Sequence, residues 1–225
     1  MSETWTVPVG EAGEVTAAYD QSSGGDDAAV FVCAHGAGGS MSDKGVLATT
    51  SALRAHGVGV VRFNFLYKEK KGGRPDRMPL LMETVAAVTG RARAELQPRR
   101  LVIGGRSMGG RAGSMLAADG FAADGLLLLA YPLHPAGKPE QLRDAHLPRI
   151  RMPVLQFSGT RDPLCTRALM ERALGTVTAP WRMHWVDGAD HSFHVLKSSG
   201  RSDAAVMDEI ATASREWLDG LASRA

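Results

Sequence analysis

The sequence predicts a three-layer α/β protein, in which a mostly parallel sheet of about seven to eight strands carries helices on both faces. The strand-like segments are continuous apolar runs rather than alternating ones, which indicates that both faces of each strand are buried. These runs alternate with helix-like segments of roughly 10 to 20 residues, as right-handed β-α-β crossovers require. No repeat, low-complexity tract or shift in composition marks a second domain, so we expect one domain over residues 1–225.

The first predicted element is a hairpin within residues 1–27 that extends the sheet, because TWTVPV and EVTAAYD are separated by the turn-forming residues GEAG. The apolar run AAVFVCAHG (28–36) predicts the first central strand. A helix is then expected over residues 42–55, since Ser42 is a favourable N-cap and Asp43 follows it in the first turn.

The middle of the chain continues the same alternation. GVGVVRFNF (57–65) predicts a buried strand, and residues 80–96 have the apolar spacing of a helix. LVIGG (101–105) predicts the next strand, which leads directly into the small-residue helix SMGGRAGSMLAA (107–118).

The last third of the chain predicts three more strands and two more helices. The strands are GLLLLAYP (125–132), MPVLQFSG (152–159) and WRMHWVD (181–187). A helix over residues 163–174 separates the last two strands. The C-terminal helix is capped by Ser202 or Asp203, and one apolar face comprises Val206, Ile210, Ala213, Trp217 and Leu221.

Composition excludes several classes of function. The net charge of +2 is too small to predict nucleic acid or an anionic membrane as the main partner. No apolar stretch reaches the ~20 residues of a membrane span. Two cysteines, Cys33 and Cys165, do not form a disulfide framework, and the N-terminus lacks the layout of a signal peptide. We therefore expect a cytoplasmic protein.

The stretch GRSMGG (105–110) lies where a buried strand is expected to turn into a helix. This is the context of a nucleophile elbow, in which Gly105 and Gly109 permit close backbone contacts around Ser107. Lysine and Ser/Thr do not follow the last glycine as a phosphate-binding P-loop requires, and the glycine spacing does not match a dinucleotide fingerprint. A plain glycine turn remains the alternative.

A serine hydroxyl becomes a good nucleophile only when a base removes its proton, and that base needs an acid to orient it. Asp162 in SGTRDP follows one predicted strand, and His191 in DGADHSF follows the next. Because parallel strands end at the same sheet edge, Ser107, Asp162 and His191 are expected to meet there, in the chain order Ser, Asp, His.

Other assignments remain open at this stage. Asp162 precedes a proline and would also serve as a helix N-cap. Asp187 and Asp190 are alternative acids close to the histidine, and His134 and His194 are alternative bases.

An oxyanion hole is expected from backbone N–H groups. The first donor is Met108, which follows the serine. The second is Ala37 or Gly38, in the small-residue loop HGAGGS (35–40) after the first central strand. His35 is expected to brace that loop.

The substrate is less well defined by the sequence. The segment 132–151 is too short for the helical lid that many such folds insert, which predicts an open site. The loop KEKKGGRPDR (68–77) carries five cations and two acids, so it either attracts an anionic substrate or is a solvated loop. Arg106 and Arg161 favour an anion slightly, and Tyr131 and His134 are candidates for the pocket wall.

The motifs HGAGG, GRSMGG, SGTRDP and DGADHSF, in this order, resemble the α/β-hydrolase superfamily, and most closely its small, capless, dienelactone-hydrolase-like members. The segments 63–77 and 131–150 look like a branch typified by mammalian testis-expressed protein thirty, which includes a scaffold subunit of a chromatin-associated acetyltransferase complex. The resemblance covers roughly residues 28–220. Dienelactone hydrolases proper use cysteine as the nucleophile, so their chemistry is not carried over to a serine.

The resemblance implies a serine hydrolase that cleaves a small ester or thioester through an acyl-enzyme, with Ser107 as nucleophile, His191 as base and Asp162 as acid. The alternative is a catalytically silent binding or scaffold module with the same fold. No H-E-x-x-H or paired-cysteine motif is present, so neither a metal nor a cofactor is expected. The natural substrate and the oligomeric state stay open.

Overall fold

Eight strands form one sheet in the computed structural model, which describes residues 2–25 and 28–221. The spatial order is β1-β2-β4-β3-β5-β6-β7-β8. The strands are β1 (Ser2–Val9), β2 (Gly13–Asp20), β3 (Ala29–Ala34), β4 (Gly59–Phe63), β5 (Arg100–Arg106), β6 (Gly125–Leu129), β7 (Val154–Gly159) and β8 (Trp181–Val186). The hairpin of β1 and β2 joins β4 antiparallel, and every other pairing is parallel. The predicted three-layer α/β fold with a mostly parallel sheet is confirmed.

Six helices are found in the described residues. They are α1 (Lys44–Ala55), α2 (Leu66–Glu69), α3 (Met78–Leu96), α4 (Met108–Ala118), α5 (Arg167–Leu174) and α6 (Asp203–Gly220). Between β6 and β7 the chain carries only a 3-10 turn at Leu147–Arg149, so no helical lid covers the sheet edge there. Residues 1, 26 and 27 of the predicted N-terminal segment and residues 222–225 lie outside the described part.

The sheet separates two apolar cores, because alternate residues of its fully buried strands face opposite sides. On one side Ile103 and Leu128 belong to the core packed by α3 and α4. On the other side Val102 and Leu129 belong to the core that includes residues of α1 and α6. Helices on both faces leave the carboxyl ends of the parallel strands as the open edge.

The starts of four helices differ from the sequence prediction; α3 begins at Met78 instead of residue 80, and α4 begins at Met108 instead of residue 107. Helix α5 begins at Arg167, behind Thr166, and not at residue 163. The cause is Asp162, whose Oδ1 accepts a hydrogen bond from Leu164 N–H at 2.8 Å and closes a turn before the helix. Helix α1 begins at Lys44, and neither Ser42 nor the N-cap residue Asp43 caps it with a side-chain hydrogen bond.

The C-terminal helix begins as predicted. Ser202 is its N-cap, and the Ser202 hydroxyl oxygen accepts a hydrogen bond from Ala205 N–H at 3.1 Å. The short helix α2 was not predicted, because four residues are too few to show helical periodicity.

Candidate active site

Ser107 lies between β5 and α4 in a sharply turned backbone. Its φ of 49° and ψ of −115° are unusual for a residue with a side chain. The Ser107 N–H donates to the Leu129 carbonyl of the neighbouring strand at 2.9 Å, which holds the turn in place. Strained backbone of this kind concentrates at functional sites, because the surrounding structure must maintain it.

Two glycines permit this turn. At Gly105 the φ is +134°, and a Cβ would lie 2.1 Å from the Ala34 carbonyl oxygen of β3. At Gly109 a Cβ would lie 2.6 Å from the carbonyl oxygens of Ala34 and His35. The strand, the turn and the first helical turn therefore touch β3 directly at backbone level.

Ser107, His191 and Asp162 are joined by two hydrogen bonds. The Ser107 Oγ lies 3.0 Å from His191 Nε2, and His191 Nδ1 lies 2.8 Å from Asp162 Oδ2. A carboxylate only accepts, so Nδ1 carries the hydrogen and Nε2 presents its lone pair to the serine hydroxyl. This is the arrangement in which an imidazole can remove the hydroxyl proton.

The loops after β7 and β8 hold the acid and the base together. Arg161 N–H donates to the Ala189 carbonyl at 2.9 Å, and Thr160 N–H donates to the Val186 carbonyl at 3.0 Å. The Asp162 carboxylate is fully buried, whereas 27% of the His191 side chain is exposed. The acid thus lies behind the imidazole, and the imidazole faces the open sheet edge.

The alternative acids have other partners. Asp190 Oδ1 accepts from the N–H groups of Ser192 and His194 at 2.8 and 3.0 Å, and so shapes the loop that carries His191. Asp187 Oδ1 accepts from the Thr160 hydroxyl at 3.3 Å. Neither carboxylate bonds the His191 ring.

The alternative bases also lie away from the Ser107 hydroxyl hydrogen bond. His194 is exposed, and its Nδ1 pairs with Asp203 at 2.9 Å, which raises the pKa of His194. His134 is buried, and its Nδ1–H donates to the Pro135 carbonyl at 2.9 Å.

Hydrogen bonds from His35 and Tyr67 hold the loop 35–40 in place. His35 is fully buried; its Nδ1–H donates to the Gly36 carbonyl at 2.7 Å, and its Nε2 accepts from Phe65 N–H at 3.2 Å. Burial lowers the pKa of His35, which keeps the ring neutral, as this pair of bonds requires. The Tyr67 hydroxyl donates to the Ala37 carbonyl at 2.7 Å and holds the tip of the loop.

The predicted oxyanion donors lie close to Ser107. Met108 is the first residue of α4, so its N–H has no acceptor within the helix. Ala37 and Gly38 line a cavity together with Ser107. The N–H groups of these three residues form no hydrogen bond within the described part of the chain.

Two cavities flank Ser107. The larger, of about 650 Å³, is lined by the loop 36–39, Arg106, Ser107 and His191, and we call it the histidine-side cavity. The smaller, of about 340 Å³, is lined by Ser107, Met108, Arg111, His134 and Arg143, and we call it the arginine-side cavity.

The predicted substrate-binding residues divide between these cavities and the core. Arg106 lines the histidine-side cavity, and its guanidinium lies 5.5 Å from the centroid of the Phe193 ring. Burial lowers the pKa of Arg106. His134 lines the arginine-side cavity, but Tyr131 is fully buried and lines neither of the two.

The basic loop 68–77 lies apart from Ser107. None of its residues lines either cavity, and Arg74, Asp76 and Arg77 line a separate surface depression. Tyr67 N–H donates to Asp76 Oδ2 at 2.9 Å and Thr16 N–H donates to Glu69 Oε1 at 2.9 Å, so both acids in the loop have a structural role.

Sequence reasoning missed Arg111, Arg143 and Tyr67. Arg111 follows Ser107 by four residues, and this spacing on a helix was a usable signal. Arg143 and Tyr67 reach the site from segments without periodicity, so nothing in the sequence indicated them.

In residues 2–25 and 28–221, no group of three or more His, Cys, Asp and Glu side chains could hold a metal ion. No helix of the described chain is both long enough and apolar enough to cross a membrane.

Comparison with known proteins gives one family and many similar folds. The alpha/beta hydrolase domain family matches residues 27–219. A serine hydrolase without a lid from Xanthomonas campestris is 25% identical, with a TM-score of 0.73 over 98% of this chain and 97% of that one. A dienelactone hydrolase from Anabaena variabilis is 20% identical, with a TM-score of 0.76 over 100% and 99%. An alpha-beta serine hydrolase homologue from Coxiella burnetii is 21% identical, with a TM-score of 0.73 over 96% and 95%.

Proposed function

Because this chain belongs to the alpha/beta hydrolase domain family, we propose that it is a serine hydrolase that cleaves a small ester or thioester. One observation carries the proposal, namely the continuous hydrogen bonding from Ser107 Oγ through both nitrogens of His191 to Asp162. The unusual backbone of Ser107 supports it, since strained conformations cluster at functional sites.

The reaction begins when His191 Nε2 takes the hydroxyl proton as Ser107 Oγ bonds to the substrate carbonyl carbon. The tetrahedral oxyanion then collapses, the C–O or C–S bond breaks, and the leaving group receives the proton from His191. Water attacks the acyl-enzyme by the same two proton transfers and releases the acid. Asp162 holds the ring in the required tautomer and stabilises its positive charge in both halves.

The developing oxyanion is bound by the N–H of Met108 and by that of Ala37 or Gly38. Met108 N–H is free of a helical acceptor, and the hydrogen bond from Tyr67 to the Ala37 carbonyl fixes the loop that carries the second donor. Fixed donors of this kind need no reorganisation during the reaction, which makes them effective. Each step balances with protein groups and water, so the mechanism requires neither a metal nor a cofactor.

The two cavities suggest how a substrate lies in the site. His191 lines the larger cavity and does not line the smaller one. The leaving alcohol or thiol must collect its proton from His191, so it occupies the histidine-side cavity. The acyl group then occupies the arginine-side cavity, whose volume of about 340 Å³ favours a short chain.

The Xanthomonas campestris neighbour is likewise a serine hydrolase without a lid. An open site of this kind suits a small or extended substrate. The resemblance to the testis-expressed protein thirty branch stays a prediction, as does a cytoplasmic location. That branch is the basis of the alternative proposal, a silent scaffold module.

The test is the intact mass of the protein after treatment with a fluorophosphonate probe. An activated Ser107 Oγ displaces fluoride and forms one covalent adduct, which peptide mapping assigns to Ser107. Ser107→Ala and His191→Ala should both lose the adduct. His194→Ala is the matched control, since His194 lies in the same loop and pairs with Asp203, and this variant should keep it.

Absence of the adduct on folded wild-type protein contradicts the hydrolase proposal and favours the scaffold alternative. An adduct that persists in His191→Ala contradicts the assigned base.

A further inference from the structure

The arginine-side cavity brings two cations together beside Ser107. Arg111 extends from the first turns of α4, and Arg143 comes from the segment between β6 and β7. Neither guanidinium forms an ion pair with a carboxylate in the described residues. Burial and the nearby charge of Arg111 lower the pKa of Arg143, as expected when two cations share a site without an acid.

Two nitrogen atoms at this cavity are buried without a hydrogen-bond partner. They are Arg111 Nε and His134 Nε2, and His134 is only 3% exposed. A buried polar atom without a partner costs on the order of 1–3 kcal/mol, so such atoms call for an explanation. The Arg143 guanidinium donates one long hydrogen bond, from Nη1 to the Pro132 carbonyl oxygen at 3.5 Å.

The backbone around Arg143 is held firmly, although its guanidinium is not. The Tyr131 hydroxyl donates to the Arg143 carbonyl at 2.6 Å, and Arg143 N–H donates to the Leu133 carbonyl at 2.7 Å. Tyr131, which does not line the cavity, therefore positions one of the residues that do. The backbone that carries Arg143 is therefore preorganised, because its hydrogen bonds do not depend on any group inside the cavity.

We propose that the arginine-side cavity binds a carboxylate carried by the acyl part of the substrate, so that the preferred substrates are half-esters of short dicarboxylic acids. This inference rests on the proposed function for the placement of the acyl group. Arg111 and Arg143 supply N–H donors that match carboxylate geometry, and both charges are balanced in part when the anion binds.

The kinetic test compares two p-nitrophenyl esters of equal acyl length, the neutral valerate and the negatively charged half-ester of glutaric acid, each corrected for its non-enzymatic hydrolysis. The wild-type enzyme should have the higher kcat/KM for the half-ester. Arg111→Gln and Arg143→Gln should each lower the ratio of the two kcat/KM values by about 10- to 100-fold, the usual effect of losing a charged hydrogen bond.

Arg74→Gln is the matched control, because Arg74 lies in the exposed basic loop outside both cavities. Its ratio should equal that of the wild type. If Arg74→Gln lowers the ratio of the two kcat/KM values as much as Arg111→Gln does, the preference for the half-ester comes from the general charge of the surface, and the proposal is overturned. An unchanged ratio in both cavity variants would overturn it as well.

Equilibrium binding separates this inference from the hydrolase proposal. Calorimetry with glutarate and Ser107→Ala protein should give binding that weakens in the double variant Ser107→Ala/Arg111→Gln. If neither ester is cleaved but glutarate still binds through Arg111, the anion site stands and only the hydrolase proposal fails. If propylphosphonate or inorganic phosphate binds and glutarate does not, the assignment to a carboxylate is overturned.

Discussion

At the scale of single residues, Asp162 is the side chain whose two oxygens have clearly different tasks. Oδ1 closes the turn before α5, and Oδ2 accepts from the imidazole of His191. This explains why helix α5 starts later than a capping interpretation of Asp162 predicts. Oδ1 bonds the N–H of Leu164, two residues further on, and so closes a turn ahead of the helix instead of capping α5 at Arg167.

Asp162→Asn should therefore separate these tasks. The amide can keep an oxygen toward Leu164 N–H, but its NH₂ group then faces His191 and favours the wrong tautomer of the ring. We expect kcat on a p-nitrophenyl ester to fall by roughly 10³- to 10⁴-fold with little change in thermal stability. Asp187→Asn, a neutralised acid in the neighbouring exposed turn, should keep most of the activity.

A small loss of kcat in Asp162→Asn, comparable to that in Asp187→Asn, would contradict the role of Asp162. A large fall in the melting temperature would instead indicate that its Oδ1 contact dominates.

At the scale of elements, the unit formed by β5, the Ser107 turn and α4 depends on the close approach of backbones. Gly105 touches Ala34 of β3, and Gly113 of α4 lies over Gly104 of β5, where a Cβ would be 2.9 Å from the Gly104 Cα. Small residues along this unit allow the helix to pack directly on the strand. The position of the serine above the sheet edge is a consequence of that packing.

Gly105→Ala should destabilise the protein strongly. The added methyl group would overlap the Ala34 carbonyl oxygen, and alanine rarely adopts a φ of +134°. Overpacking and backbone strain together predict a loss of roughly 3 kcal/mol or more in the free energy of unfolding, measured by urea denaturation.

Gly90→Ala is the matched control for this variant. Gly90 lies in α3, its side-chain position is open, and alanine favours a helix by up to about 1 kcal/mol. This control should unfold at an equal or higher urea concentration than the wild type. A Gly105→Ala midpoint equal to that of the wild type would contradict the packing argument.

At the scale of the whole molecule, the sequence predicts the sheet well, because most of its central strands are apolar runs, although β8 includes Arg182 and His184 and is mostly half-buried. Ser107, Asp162 and His191 could be predicted for a related reason, since each lies in the segment that follows a predicted strand. Arg143 could not, because its position depends on the hydrogen bond from Tyr131 and on a segment without periodicity. The basic loop 68–77 shows the opposite: its charge pattern is conspicuous in the sequence, but the loop lies outside both cavities.

Buried histidines should make the stability of the whole molecule depend on pH. His146 lies between α4 and the segment before β7, with its Nε2 2.8 Å from the Ser114 hydroxyl oxygen. Burial, reinforced by the charges of Arg111 and Arg149, lowers the pKa of His146 to about 4. Burial also lowers the pKa of His35.

Because the pKa of His146 is lowered in the folded state, the unfolded chain binds more protons than the folded protein once the pH falls below the ordinary histidine pKa of about 6.5. The folded state therefore has its full stability above that pH, and it loses stability progressively as the pH falls toward the folded-state pKa of about 4. We expect the free energy of unfolding to decrease between pH 6.5 and 5 by at most about 1.4 kcal/mol per pH unit for His146. Urea denaturation of the wild type and of His146→Gln, across this range, measures the difference. The slope should be shallower in His146→Gln, and equal slopes would show that His146 is not kept neutral by the fold.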